Sequence, residues 1–550
     1  MSPTFGEFAL SGAMLACAAV LFGVVIFLLT RNEGILRSIR AGVLLIAGLL
    51  GVSSWSLLTA LLDDNFKLDY VLRHSEKTLA LQYKIAAFWA GQEGSLLLWA
   101  FVLAGMTLVM ALAGRRKNTA EHAVSLGVMT LVTGFFTAVM LFAGNPFDLA
   151  KQASANGEGL NPMLQNLAMV LHPPMLFLGY AGFTAPFALL MGALLTGSKD
   201  GQWLRAARPW MVYSWVVLTV GIVLGAWWAY VELSWGGYWA WDPVENASIF
   251  PWFTGTALLH SAVLQSKRGI FKRWVAGLTA ASFFLCIFGT YLTRSSVVQS
   301  MHGFPESPIS KYFLSALAVI AVWSIVVMVV RRDLLVAEHT LEDLFSREGF
   351  FLAANILLSV MTATLVVGTI FPVISGWFSK TPVTVGAAFY NNVILPVALL
   401  LALLMATGPV LGSGAGAGVR AARKLGFMGI AGLLASLAVL VMKFHSPWVL
   451  AAAFVIGAIA AGIVLDIGST FAPRAGQNFL VSGAKALAAR PRHWGAQVAH
   501  LGLAAIIAGV AGSSVYGNNQ HLSLQRDVAQ PIGSYSFTLK DFAKARRPNH

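Results

Sequence analysis

Between residues 227 and 252 the chain carries six of its 17 tryptophans: Trp227, Trp228, Trp235, Trp239, Trp241 and Trp252. Seventeen spread evenly over 550 residues would put fewer than one in such a window, so the cluster needs a cause. Its centre reads Trp235–Gly236–Gly237–Tyr238–Trp239–Ala240–Trp241–Asp242–Pro243–Val244–Glu245–Asn246. Rings spaced along one segment offer an apolar, polarisable platform, and Gly236 and Gly237 let a flat ligand approach the backbone. A planar macrocycle suits such a platform. The competing reading is an interfacial aromatic belt at headgroup level, but a belt is spread over many helix ends and needs no glycine pair. Asp242, Pro243 and Glu245 also have the makings of a helix start, with an N-cap, a first-turn proline and a capping-box acid. Whether Asp242 touches a ligand or only caps a helix stays open at this point.

Four histidines fall into two pairs. His172 lies in Leu171–His172–Pro173–Pro174, where the prolines are read as closing a loop and opening a helix. His302 lies in the loop after residue 292, near Arg294. These two loops bracket the tryptophan segment and share its side of the membrane. Imidazole is an ordinary axial ligand of haem iron, and two of them complete a six-coordinate site. Either histidine alone reads equally well as a solvated loop residue. His260 and His500 instead lie inside apolar runs, where an ionisable group is costly and usually functional. His260 stands seven residues before Lys267 and His500 eight after Arg492. At the helical rise both lie roughly 10–12 Å from the cytoplasmic charge girdle. Two imidazoles at equal depth suit a membrane-embedded b-type haem; the alternative is two unrelated buried histidines bonded to neighbours. His493, flanked by Arg492 and Trp494, reads as interfacial.

The elements that must position these groups are membrane helices. The chain is 57% hydrophobic and 11% charged, with mean hydropathy +0.73, whereas a soluble domain carries about 25% charged residues. The net charge of +14 does not indicate nucleic acid, because Lys and Arg collect in short loops between apolar runs as the positive-inside rule requires. Cys17 and Cys286 both sit inside apolar runs, so the chain offers no disulfide framework and no Cys-x-x-Cys-His attachment site of its own. The fold class is an all-α polytopic membrane protein with about fourteen spans, and the first apolar run is a retained helix. The basic clusters Arg31–Arg40, Arg115–Lys117, Lys267–Arg273, Arg331–Arg332, Arg420–Lys424 and Arg490–Arg492 all fall in alternate loops. That pattern puts them in the cytoplasm and both termini outside. The transmembrane domain is predicted over 1–515. A tail over 516–550 includes Ser534–Leu539, which alternates like a strand. Gly412–Gly418 reads as a flexible cytoplasmic connector.

Several segments together resemble the CcmF family of cytochrome c maturation proteins. Trp235–Asn246, continuing to Pro251–Trp252, is similar to the WWD signature of haem-handling proteins. Tyr83–Ala87 with Glu93–Trp99, Gly289–Ser295 and Ala499–Gly502 are similar to further motifs of the family. The resemblance implies a cytochrome c haem lyase of the bacterial inner membrane, working on its periplasmic face within a complex. It implies that His172 and His302 are axial ligands for haem delivered by the chaperone CcmE, and that the Trp-rich stretch is the haem platform. It makes His260 and His500 ligands of an intramembrane haem b, with membrane quinol as a possible reductant that keeps the ligation haem reduced. Partners of the CcmH and CcmI type would present apocytochrome c, whose Cys-x-x-Cys-His thiols add to the haem vinyls. The resemblance departs at Gln92, where the family often has His, and at the end, where relatives commonly continue; a shorter NrfE-like branch is one reading. The related CcsA branch and a proton-relaying transporter are the alternatives.

Overall fold

Apolar runs longer than a bilayer core is thick can satisfy their backbone groups only by coiling. In the computed structural model of the chain they do so. The structure describes residues 3–117, 119–152, 154–199, 201–232, 237–414, 416–471, 478–516 and 522–543.

In chain order the first helices are α1 (Pro3–Thr30), α2 (Glu33–Leu62), α3 (Asp69–His74), α4 (Leu81–Ala90), α5 (Gln92–Ala113) and α6 (Ala120–Ala143). Next come α7 (Leu167–Thr196), α8 (Gln202–Glu232), α9 (Pro243–Arg268), α10 (Lys272–Arg294), α11 (Ile309–Val330) and α12 (Arg347–Gly376). The last are α13 (Ala387–Thr407), α14 (Ala417–Val441), α15 (Pro447–Phe471), α16 (Phe479–Ala489) and α17 (Pro491–Tyr516). Fourteen of the described helices are long and apolar enough to cross a membrane; α3, α4 and α16 are not among them. The predicted all-α polytopic class and its fourteen spans are therefore present.

The chain forms two compact units: Met1–His339 with Ser359–Ala387, and Thr340–Leu358 with Ala388–Arg546. At the centre of the first is α7, which has no charged residue along its length and is apolar all round. Such a helix belongs inside a bundle. It packs against α8 most extensively, and against α6, α10 and α5, with Phe187 stacked on Phe283 at 4.4 Å. In the second unit small residues let helices approach closely. A Cβ at Gly457 of α15 would stand 2.7 Å from the Ala431 carbonyl of α14, the tight backbone contact that small residues permit in membranes. Ala402, Ala406, Met428, Ala458 and Ala504 build the core there.

Two local readings of the sequence differ from the structure, and a third is borne out and extended. First, α7 begins at Leu167 and not at Pro174, so His172 is helical. The Asn166 side chain caps the helix by accepting from the Ala168 N–H at 2.8 Å. Pro173 removes the N–H that would reach the Met169 carbonyl, and the Trp89 indole N–H donates there instead, at 3.4 Å. Second, Gly412 and Gly416 of the expected connector are held: the Gly412 carbonyl accepts from the Arg347 N–H at 3.0 Å. Gly416 N–H donates to Asp343, and the Arg347 guanidinium donates to the Leu411 carbonyl at 2.9 Å. Third, the strand expected near Ser534 is half of a hairpin, β1 (Ala529–Ile532) paired antiparallel with β2 (Tyr535–Thr538).

In the first unit, the loops that the charge pattern assigns to the outside fold against one another. The loop over 63–93 contains α3 and α4 and meets the loop after α6 through Asp69 N–H to the Asp148 carbonyl and Ala150 N–H to the Lys67 carbonyl. Lys84, buried, pairs with Asp64 at 2.6 Å. Leu79 and Ala90 of this cap, with Leu160, pack against Ala168 and Met169 at the start of α7 and against Trp228 of α8.

Candidate functional site

His172 lies in the second turn of α7 and faces α8. Its Nδ1–H donates to the Gly221 carbonyl at 2.7 Å, which fixes the tautomer that leaves the Nε2 lone pair for a metal. Room for the ring comes from glycine: a Cβ at Gly225 would stand 2.6 Å from His172 Cε1. The His172 ring lies against Trp228, with centroids 6.2 Å apart and planes at 27°.

Trp228 also meets His302, edge to face, at 5.3 Å. One indole is thus shared by the two histidines that the sequence paired. Trp228 is buried and its N–H donates to the Met163 carbonyl at 3.2 Å. It is a fixed wall, part of a cluster with Leu79, Leu160, Ala168 and Met169.

His302 is held from its other side by Asp242. The Asp242 carboxyl accepts from His302 Nδ1 at 3.2 Å, from Ser300 Oγ at 2.6 Å and from Met301 N–H at 3.3 Å. The same carboxyl caps α9 by accepting from Val244 N–H at 3.0 Å, and Glu245 completes the capping box by accepting from the Asp242 N–H at 3.1 Å. The helix start expected at Asp242–Glu245 is therefore there, and the cap residue orients a histidine as well. Burial pushes the Asp242 carboxyl up, but hydrogen bonds from His302, Ser300 and Val244 outweigh it and hold it below the usual aspartate range.

Of the platform residues, Trp235 and Gly236 lie outside the described residues. Trp239 and Trp241 meet edge to face at 5.9 Å. Trp241 has φ +59°, a left-handed conformation that costs a side-chain-bearing residue roughly 1–2 kcal/mol. Asn246 holds it there, donating to the Trp241 carbonyl at 3.2 Å and to Thr369 of α12 at 3.1 Å. Trp239 Nε1 is buried with no hydrogen-bond partner among the described residues. Tyr238 is half-buried, and a Cβ at Gly237 would meet nothing within 4 Å, so protein packing does not require the glycine. Two of the clustered tryptophans do other work. Trp252 stacks on Trp215 and donates to Thr219 in the α8–α9 seam, and Trp227 is 44% exposed.

His260 and His500 lie inside helices, as expected. His260 is half-buried on α9 in the first unit, and His500 is half-buried on α17 in the second. His493, one turn inside α17, bonds Asp466 of α15 at 2.6 Å, and Gln497 donates to the same carboxyl at 2.8 Å.

Four residues of the site went unassigned in the sequence. Gln92 donates to the Pro305 carbonyl at 2.8 Å and accepts from Ser307 at 3.1 Å, tying the start of α5 to the loop that carries His302. Gly225 admits the His172 ring and Gly221 supplies the carbonyl that holds it, and their Gly-x-x-x-Gly spacing on an apolar helix was the available signal. Arg294 is buried under the His302 loop; its presence at the end of an apolar run was legible, its lack of a carboxylate partner was not.

Chemically, two imidazoles with Nδ1 committed, indole walls and the buried Trp239 N–H without a partner among the described residues could hold an iron porphyrin.

Residues 89–301 match the family model described as "Cytochrome C assembly protein". "Cytochrome c-type biogenesis protein CcmF" of Pseudomonas aeruginosa is 36% identical over 504 residues, covering 89% of this chain and 74% of that one. The Escherichia coli K12 protein of the same name is 33% identical over 495 residues, covering 90% and 75%. "Cytochrome c-type biogenesis protein NrfE" of Haemophilus influenzae is 32% identical over 491 residues, covering 88% and 75%. A solved structure, "Cytochrome c Heme Lyase CcmF", superposes with TM-score 0.77 at 28% identity, over 97% of this chain and 83% of that one.

Proposed function

The chain belongs to the CcmF family of cytochrome c-type biogenesis proteins and is a multi-pass membrane subunit of a cytochrome c haem lyase; from that premise we propose how its own residues handle the haem. His172 and His302 supply the axial ligands for the haem to be attached, and Trp228, Tyr238, Trp239 and Trp241, with Trp235, Gly236 and Gly237, form the platform beside them. The observation that carries this reading is that both imidazoles contact Trp228 while each has its Nδ1 engaged, His172 by the Gly221 carbonyl and His302 by Asp242.

The substrate chemistry is addition of a thiol S–H across a vinyl C=C, forming a C–S bond at one carbon and a C–H bond at the other. Both thiols come from the Cys-x-x-Cys-His segment of the apocytochrome, which agrees with Cys17 and Cys286 being buried in spans. The protein's part is orientation. Holding the macrocycle by two ligands and an aromatic wall presents its vinyl edge in one geometry, and fixed geometry of this kind can supply several kcal/mol of barrier lowering, up to about 7–11 kcal/mol in the best intramolecular cases. Apolar walls exclude water from the reacting edge. No side chain is assigned as a catalytic base.

The matched sequence distances of His260 and His500 from the cytoplasmic basic clusters support assigning both to a haem b inside the membrane, which would supply one-electron chemistry when bound. Delivery by a CcmE-type chaperone, presentation by CcmH/CcmI-type subunits, quinol as electron source and a bacterial inner-membrane location with the site periplasmic complete the proposal. It is supported by the family and by the alternation of basic loops.

Haem attachment to a reporter apocytochrome, scored by haem stain in cells lacking their own lyase subunit, tests it. His172→Ala and His302→Ala should each drop the yield to background with normal membrane insertion. Full yield from either would remove that histidine from the site.

A further inference from the structure

Arg294 ends α10 at the side of the membrane where His302 lies. It is 2% exposed, and among the described residues its guanidinium makes one hydrogen bond, Nη2 to Ser95 Oγ at 2.6 Å. That acceptor is neutral, and the Ser95 hydroxyl itself donates to the Gln92 carbonyl at 2.7 Å. Nε of Arg294 is buried with no partner among the described residues. Among the described residues no carboxylate forms an ion pair with Arg294; Glu93 reaches its charge only from beyond ion-pair distance and is itself engaged by Arg73 at 3.2 Å. A buried cation with no direct ion pair, whose carboxylate neighbour is committed to another arginine, is strongly unfavourable unless something anionic completes it.

The arginine also sits under the haem-ligand loop. Phe304 N–H donates to the Thr293 carbonyl at 2.8 Å, which folds the loop back over the end of α10. The Phe304 ring covers the guanidinium at 5.2 Å. Phe304 follows His302 by two positions, so their α-carbons are within about 7 Å. A porphyrin whose iron is held by His302 carries its propionates at its rim, within one macrocycle radius of that ligand.

We propose that Arg294 is the anchor for a carboxylate of the substrate, a haem propionate, completing the buried charge and fixing the in-plane rotation of the macrocycle so that the vinyl edge faces the incoming thiols. This rests on the reading of His172 and His302 as haem ligands. Arg294 acts on the substrate's rim and touches neither reacting carbon nor iron, so it is a positioning and specificity residue. It predicts that the site distinguishes the diacid from its diester.

The test titrates detergent-purified protein with ferric haem and with haem dimethyl ester, following the Soret component that disappears in His172→Ala and His302→Ala. Wild type should bind the diacid about tenfold or more tighter than the diester, the size of one charge-assisted hydrogen bond. Arg294→Gln should bring the ratio close to one, and Arg294→Lys should keep part of it, with unchanged axial-ligand spectra in both. A wild-type ratio near one overturns the proposal without any variant, as does a ratio that survives in Arg294→Gln. If no histidine-dependent Soret component exists, the haem-ligand reading itself fails and takes this inference with it; a histidine-dependent component that ignores the ester overturns this inference alone.

Discussion

The Asp242 carboxyl accepts from His302 Nδ1 at 3.2 Å while also capping α9 through the Val244 N–H at 3.0 Å. One side chain thus joins the end of the tryptophan segment, the start of a membrane helix and an imidazole of the next outer loop. A carboxylate behind a ligating histidine fixes its tautomer and raises its basicity.

Asp242→Asn keeps a cap but weakens the hold on His302. Haem affinity at the outer site should fall about 10–100-fold, the usual effect of losing such a partner. Asp242→Ala should in addition cost about 1 kcal/mol of stability through the lost cap. Soret titration and thermal unfolding in detergent separate the two effects; equal haem affinity in wild type and Asp242→Asn would show that the contact does not matter for binding.

The same contact predicts a pH dependence. The folded Asp242 carboxyl is held below its usual value by His302, Ser300 and Val244 against the opposing effect of burial. A depressed carboxylate contributes stability that is whole above the unfolded value of about 3.9 and is lost as pH falls through the lower folded value. The stability difference between wild type and Asp242→Asn should therefore be constant at neutral pH and shrink only below about pH 4. A difference that already changes between pH 7 and 5 would point to another group.

Gly225→Ala puts a methyl group where His172 Cε1 stands, at 2.6 Å. The imidazole must move or α8 must separate from α7, costing about 1–3 kcal/mol. Haem binding at the outer site should drop to the level of His172→Ala while His260-dependent and His500-dependent absorbance persists. Normal binding would show that the site tolerates a displaced ring.

Gln92→Ala removes two side-chain bonds to the His302 loop, at Pro305 and Ser307. Each contributes about 1 kcal/mol, enough to raise exchange or protease sensitivity of residues 300–308 several-fold while ligation yield falls. Unchanged protection of that loop would mean that Arg294, Phe304 and Asp242 hold it unaided.

How much of this was legible in the sequence follows from what each signal depends on. Span number and the capping box were visible, because length, apolarity and cap chemistry are local. The helical start of α7 was hidden, because the compensation for Pro173 comes from Trp89, about eighty positions away in the chain. Asp242 could be read as a cap but not as a partner of His302, since that contact joins residues 60 apart. Trp228 counted only as one of a cluster, and its place between two imidazoles depends on how α7, α8 and the outer loop fold together. Gln92, set aside because it replaces a histidine of the family pattern, proved to be a loop tether.

The central claim is that His172 and His302 ligate one haem. The most direct measurement is the resonance Raman and Soret spectrum of ferric haem added to protein lacking His260 and His500, with and without His172→Ala or His302→Ala. The account predicts a six-coordinate low-spin spectrum that becomes high-spin when either histidine is removed. A spectrum unchanged by both substitutions would contradict it.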